Sequence, residues 1–234
     1  MFKKAKTVLL ISNISGALLL GQTPGISTKQ LMQEPLGDTL DPKVSVVLLP
    51  MAGGRTAGAH THPGPVFAYI LEGDIENQLE PDPPKIYHAG DFFYEAPMHV
   101  HRLMRNLSGT EPAKVIVFQV GATGNPNPAV KVLLRAPAEV ANREGRLAMV
   151  TMAPGAIVGA HKHPGPVFAY IVKGEAENEV DPDPARIYRA GDVFYEAPLH
   201  AHRMLRNPSK TEPAELLIFQ IGDKGQPPAM GVDQ

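Results

Sequence analysis

Short apolar runs separated by turn residues recur along almost the whole chain. Val44–Leu49 reads as a strand, and Gly53-Gly54 marks the turn after it. Phe67–Leu71 follows and stops at Gly73; Ile86-Tyr87, Phe92–Tyr94, His101–Met104 and Val115–Val120 continue the series. Pro81-Asp82-Pro83 supplies another turn, since proline presets φ and aspartate bonds to nearby backbone. No stretch sustains a 3.6-residue apolar period apart from a short helix predicted near Ala138–Asn142. Many short strands with regular punctuation predict an all-β fold, a sandwich or barrel.

The pattern is written twice. His60-Thr61-His62-Pro63-Gly64-Pro65-Val66-Phe67-Ala68-Tyr69-Ile70 returns 101 residues later as His161–Ile171, with one change, Thr61 to Lys162. Ala89-Gly90-Asp91, Phe93–Pro97 and His99 return in the same register as Ala190-Gly191-Asp192, Phe194–Pro198 and His200. Lys29–Pro35 resembles Lys131–Pro137 more loosely, at an offset of 102. The 234 residues therefore divide into two units, at 25–121 and 129–222. A leader is expected over 1–24, a linker over 122–128 within the Gly-, Pro- and Asn-rich Gly121–Pro128, and a Pro-rich tail over 223–234. Along Val66–Leu71 the parity of a strand sets Val66, Ala68 and Ile70 toward the pocket. It sets Phe67 and Tyr69 outward, at an interface between the units.

Composition narrows the classes. A net charge of −2 without a basic run beyond the N-terminus argues against a nucleic-acid partner. The absence of cysteine excludes disulfides, thiolate nucleophiles and Cys-bound metals. Lys3, Lys4 and Lys6 precede an apolar stretch from Val8 to Leu20 that is short for a membrane span. This reads as a cleaved export signal, so the expectation is a periplasmic or secreted protein without a stable membrane span after signal removal.

Two histidines one residue apart on a strand project to the same side. Neutral imidazole is the commonest side-chain ligand for transition metals. His60 with His62, and His161 with His163, are accordingly candidate metal ligands. The blander reading is a hydrogen-bonded core pair in each unit.

The residues as ordered resemble the cupin family in its duplicated, bicupin form. Gly54, His60-Thr61-His62 and Gly73 follow its first signature; Gly90-Asp91, Pro97, His101 and Asn106 follow its second, with one extra residue before the asparagine. Gly155, His161, His163, Gly174, Gly191, Pro198, His202 and Asn207 repeat the match. The resemblance implies two tandem jelly-roll barrels, each with an internal divalent metal held by His60, His62 and His101, or by His161, His163 and His202. It implies iron, manganese or zinc as cofactor, a small-molecule ligand or substrate, and room for a homodimer through outer barrel faces. The family pattern also has a glutamate ligand in its first signature. Here that position is Val66, with Val167 as its twin. Three neutral imidazoles alone leave the ion at +2, whereas a carboxylate ligand reduces it to +1.

Glu95 and its twin Glu196 are the substitute carboxylates, as ligands or as bases beside the metal. Their competing reading is a strand-end glutamate bonded to Arg102 or Arg105. His99 and His200 are candidates for the rim of the pocket, Tyr94 for its mouth, and the arginines at 102, 105, 203 and 206 for surface ion pairs. Two function classes stay open at this point. One is a metal-dependent enzyme of the cupin dioxygenase type acting on a small oxygen-bearing substrate. The other is a non-catalytic metal or small-molecule binding, storage or sensor protein.

Overall fold

The computed structural model describes residues 24–37, 43–121 and 131–233. The expected leader up to residue 23 and the expected linker 122–128 lie outside the described residues. Within the described residues every regular element is a strand. In chain order the first ten are β1 (Ile26–Pro35), β2 (Lys43–Met51), β3 (Thr56–Ala57), β4 (His60–Thr61), β5 (Val66–Glu72), β6 (Ile75–Leu79), β7 (Lys85–Tyr87), β8 (Phe92–Glu95), β9 (Val100–Asn106) and β10 (Ala113–Val120). The second ten are β11 (Lys131–Pro137), β12 (Arg143–Met152), β13 (Ile157–Val158), β14 (His161–Lys162), β15 (Val167–Lys173), β16 (Glu175–Val180), β17 (Arg186–Arg189), β18 (Val193–Glu196), β19 (Ala201–Arg206) and β20 (Ala214–Asp223).

Each unit is built from two five-stranded antiparallel sheets. In the first unit one sheet runs β11-β2-β10-β5-β8, and the other runs β3-β9-β6-β7 with β4 also on β9. The second unit has β1-β12-β20-β15-β18 and β13-β19-β16-β17 with β14 on β19. The chain-order boundaries at 25–121 and 129–222 follow the repeat, but the sheets cross them. β1 pairs with β12, from Ile26 opposite Met152 to Pro35 opposite Glu144. β11 pairs with β2, from Lys131 opposite Leu48 to Pro137 opposite Lys43. The strand that opens each unit thus completes the sheet of the other.

Side-chain alternation explains where the cores lie. Val66, Ala68 and Ile70 of β5 pack with Ile75, Phe93, Met104 and Val115 inside the first barrel. Phe67, between them, faces the other way into a core shared by both units with Phe118, Phe168 and Phe219. The Phe67 and Phe219 ring centroids lie 4.8 Å apart, and Phe118 stacks on Phe219 at 5.3 Å. Such aromatic pairs add ~0.5–1.5 kcal/mol each beyond the area they bury. Tyr69 packs against the same shared core, as the strand parity predicts. Gly145 is required there: a Cβ would fall 2.7 Å from Phe67 and 2.8 Å from Phe219.

The helix predicted over Ala138–Asn142 does not form. Ala138 and Val140 are buried in the shared core while Glu139 is exposed, a two-residue period that an extended chain satisfies and a helix does not. The stretch ends in a turn in which Arg143 N–H donates to the Val140 carbonyl at 3.1 Å and Asn142 takes φ 58°. No helix among the described residues is long and apolar enough to cross a membrane.

Candidate metal centres

The two histidine clusters form where three stretches of chain meet inside each barrel. β4 lies on β9 with His60 directly opposite His101, and His62 follows one residue beyond β4. β14 and β19 repeat this with His161 opposite His202. Gly64 helps hold the first motif in place, since any Cβ there would sit 2.0 Å from the Val120 carbonyl oxygen. Gly165 stands in the same relation to Ile221, at 1.9 Å.

Hydrogen bonds on the far nitrogens aim the rings. The Nδ1–H of His60 donates to the Gly58 carbonyl at 2.8 Å, which leaves Nε2 as a lone-pair donor. That Nε2 lies 3.1 Å from Nε2 of His62. In the second unit His161 donates to Gly159 at 2.8 Å, and its Nε2 lies 3.0 Å from Nε2 of His163. Two nitrogens reach such a separation when each stands ~2.0–2.1 Å from one shared ion. In each trio the ligand atoms all lie within 4.8 Å of one another.

A glutamate stands beside each trio. Glu95 on β8 sits directly opposite Val66 on β5, and Glu196 opposite Val167. A carboxylate from the neighbouring strand therefore reaches the level at which the family pattern has one on β5. Glu95 is 4% exposed. Its Oε1 lies 3.2 Å from Nδ1 of His101, and its Oε2 3.5 Å from Nε2 of His62. Glu196 Oε2 lies 3.2 Å from Nδ1 of His202 and 3.3 Å from Nε2 of His163. The arginines named as competitors for this carboxylate are engaged elsewhere. Arg102 pairs with Glu80, Arg105 with Glu76 at 2.6 Å, Arg203 with Asp181 at 2.5 Å and Arg206 with Glu177.

The charge states suit metal binding. Burial, then the neighbouring His163, lowers the His161 pKa to about 4. Burial likewise lowers those of His62 and His163, against the pull of the glutamate beside each. For Glu196 burial alone would raise the pKa, but His202, His163 and His161 outweigh it and the net direction is down. At neutral pH these imidazoles keep their lone pairs and this carboxylate its charge.

A test of fit comes from atoms the protein leaves unsatisfied. Apart from the carboxylate–imidazole contacts already given, Glu95 Oε2 and both ring nitrogens of His101 are buried without a hydrogen-bond partner, as are Glu196 Oε2 and Nδ1 of His202. A buried polar atom left unpaired costs ~1–3 kcal/mol. Here the unpaired atoms cluster in matching places in both barrels, on residue types that ligate divalent metals. The donor set fits a metal ion.

Other expected residues stand apart. His99 and His200 are exposed, and His200 donates to the Asp181 carbonyl at 2.8 Å rather than facing the trio. Tyr94 packs on Phe67 at 5.2 Å in the shared core rather than at the pocket mouth. Asn106 of the second signature is a structural tie, its amide donating to the Met51, Ala52 and Glu111 carbonyls.

Sequence reasoning missed two partners of the site. Gln119 and its twin Gln220 reach Nδ1 of His62 and His163, at 3.4 and 3.2 Å. Their recurrence at one register position inside apolar strands was the available signal. The tail also proves to be part of the second centre. The Pro228 carbonyl accepts from Nδ1 of His163 at 2.8 Å and from Gln220 at 2.5 Å, while Met230 and Lys162 exchange backbone bonds.

The cupin domain family matches residues 47–119 and again 148–219. No curated protein matches the chain. Among solved structures, AerE from Microcystis aeruginosa aligns with a TM-score of 0.60 at 18% identity, over 83% of this chain and 99% of that one. A deletion mutant of the oxalate decarboxylase OxdC from Bacillus subtilis aligns with a TM-score of 0.61 at 17% identity, over 88% and 78%. Another structure of that decarboxylase, from work on its Mn(II) centres, aligns with a TM-score of 0.59 at 17% identity, again over 88% and 78%. At such identities the likeness is one of fold.

Proposed function

This chain belongs to the cupin family, and on that footing we propose that it is a two-site metal protein. His60, His62, His101 and Glu95 hold one divalent transition metal; His161, His163, His202 and Glu196 hold the other. The supporting observation is the matched set of buried carboxylate and imidazole atoms in the two barrels that find no hydrogen-bond partner outside their own cluster. Three nitrogens and a carboxylate oxygen suit iron, manganese or zinc. The Mn(II) centres of the aligned oxalate decarboxylase favour manganese among them. With Glu95 as a ligand the site charge is +1 rather than +2.

A bound ion of this kind supplies Lewis-acid activation of an oxygen-bearing small molecule, and iron or manganese adds redox chemistry. The chain's own residues do the positioning. The Gly58 carbonyl sets the His60 tautomer, Glu95 lies beside His101 and His62 on the same cluster, and the apolar set Val66, Ala68 and Ile70 packs in the barrel core behind them.

Elemental analysis of protein purified without chelators or added metal tests the reading. The expected result is two ions per chain; protein that emerges metal-free and takes up no Fe(II), Mn(II) or Zn(II) on dialysis overturns it.

We assign enzymatic turnover to the first barrel, where His60 is exposed. For the second barrel the tail folded over His163 favours a holding role. Anaerobic loading with Fe(II), then oxygen uptake over a panel of diketones, phenolics, hydroxy acids and polyols, separates the two. Uptake lost in His60→Ala and kept in His161→Ala supports the division, and no uptake anywhere makes both centres holders. The N-terminal lysines and the apolar stretch after them support export to the periplasm or medium. N-terminal sequencing of the mature chain from those fractions checks this.

A further inference from the structure

A neutral histidine can ligate an ion only through the ring nitrogen that does not carry the proton. In the second barrel a backbone carbonyl places that proton on each ring. The Gly159 carbonyl accepts from Nδ1 of His161 at 2.8 Å, and the Met204 carbonyl from Nε2 of His202 at 3.2 Å. In both cases the acceptor is two residues from the histidine, so ligand and acceptor come from one short stretch of chain. His163 is different. Its acceptor is the Pro228 carbonyl, 2.8 Å from Nδ1 and 65 residues away in the tail.

The tail is tied to the ligand strand itself. Met230 and Lys162 exchange two backbone hydrogen bonds, each 2.9 Å, and Lys162 stands between His161 and His163. Ala229, between Pro228 and Met230, is buried. Gln220 donates to the same Pro228 carbonyl at 2.5 Å. Arg146 holds the base of the tail by donating to the Asp223 and Gln226 carbonyls, at 3.2 and 2.8 Å. Pro227 and Pro228 fix φ along the approach, so less chain freedom is lost when the tail closes.

Two tautomers of His163 compete at this point. With the tail closed the proton sits on Nδ1, and the Nε2 lone pair faces Nε2 of His161 at 3.0 Å. With the tail open Nδ1 loses its acceptor, and the neighbours then favour the other form. The Gln220 amide, 3.2 Å away, can donate to a bare Nδ1, and Glu196 Oε2, 3.3 Å away, can accept from Nε2–H. That form has no lone pair on Nε2 for an ion. A closed tail therefore raises metal affinity, and by linkage an ion favours the closed tail by the same factor.

We propose that the tail over Gly225–Met230 is a metal-linked clasp: its Pro228 carbonyl sets the His163 tautomer that readies the second centre, and an ion bound there holds the tail shut. The coupling rests on the metal reading; the tautomer assignment does not. Nitrogen-15 NMR of the histidine rings in mildly alkaline buffer tests the assignment on metal-free protein. It compares the full chain with a chain truncated after Asp223 and with Ala229→Glu, which unseats the tail without shortening it. Zn(II) titration against a chelator, and amide hydrogen exchange of the full chain with and without Zn(II), test the coupling.

In the full chain His163 should carry its proton on Nδ1. Both variants should move it to Nε2, while His161 and His202, whose carbonyls stay in place, keep the pattern of the full chain. Zn(II) at the second centre should bind ~10–100-fold more weakly in the variants. In the full chain Zn(II) should slow exchange of the Lys162 and Met230 amides by a matching factor. The proposal fails if His163 is Nε2–H in the full chain, if it stays Nδ1–H in a variant, if the variants bind Zn(II) as tightly, or if Zn(II) leaves those two amides unchanged. A variant in which all three rings change has lost the barrel, and the exchange measurement on the full chain then decides. A tail-dependent His163 tautomer in protein that takes up no Zn(II) would sink the metal reading and leave the tautomer assignment standing.

Discussion

The two histidine clusters carry the same four residues, three histidines and a glutamate, at nearly the same distances, yet solvent reaches them differently. His60 is exposed, whereas His161, its counterpart, is 4% exposed. Among the described residues, the second unit also carries a strap. In the second unit the chain after β20 turns back, buries Ala229 and places the Pro228 carbonyl on His163. Arg146 anchors it by donating to the Gln226 carbonyl at 2.8 Å, and Glu144 holds Arg146 at 2.5 Å. The first unit has Lys43 and Ser45 at the positions of Glu144 and Arg146, so it lacks that anchor. Ligands decide what a centre holds; their cover decides how readily it exchanges.

The largest expected effect concerns the independence of the centres. His101→Ala and His202→Ala should each reduce the metal content from two ions to one, with at least ~100-fold weaker binding at the altered site. Elemental analysis and competition with a chelator measure this, and a single substitution that empties both sites would erase the comparison. Glu95→Gln and Glu196→Gln should each weaken metal binding by ~10–100-fold, and by similar factors, because the two carboxylates hold equivalent positions. Unequal losses in the same competition assay would show that cover, not ligation, governs affinity.

Kinetics should sharpen the contrast next. Release to excess chelator should be biphasic, and truncation after Asp223 should speed the slow phase by ~10-fold while leaving the fast phase alone. The smallest effect is that of Glu144→Gln, about 1.5–3 kcal/mol of stability at neutral pH, for loss of a charged hydrogen bond. Burial alone would raise the Glu144 pKa, but the bonds from Arg146 and Gln33 bring it below its ordinary 4.5. Its contribution is therefore present above pH 4.5 and lost as pH falls through the lower folded value. Chemical denaturation of metal-free wild type and variant should show the gap closing in acid.

Much of this was legible in the chain. Parity along β5 separated Phe67 from Val66 and Ala68, and the doubled H-x-H marked both clusters, because strand alternation is a local property. Glu95 was visible as a carboxylate without a site. Its placement depends on register with Val66 across two strands, which sequence spacing does not carry. The Ala138–Asn142 helix was misread because alanine and glutamate favour helices locally, while burial of Ala138 and Val140 in the shared core decided otherwise. The strap was invisible for the opposite reason. Proline and glycine in residues 223–234 speak of turns, not of what a turn lands on.

The crossing of β1 and β11 has a last consequence, for how such a duplication persists. Neither half is a removable part: a fragment ending at Gly121 would lack the partner that covers one flank of β2, and its bare backbone groups would recruit a second copy. Once the opening strands had traded places, the halves were bound to be inherited, made and lost together.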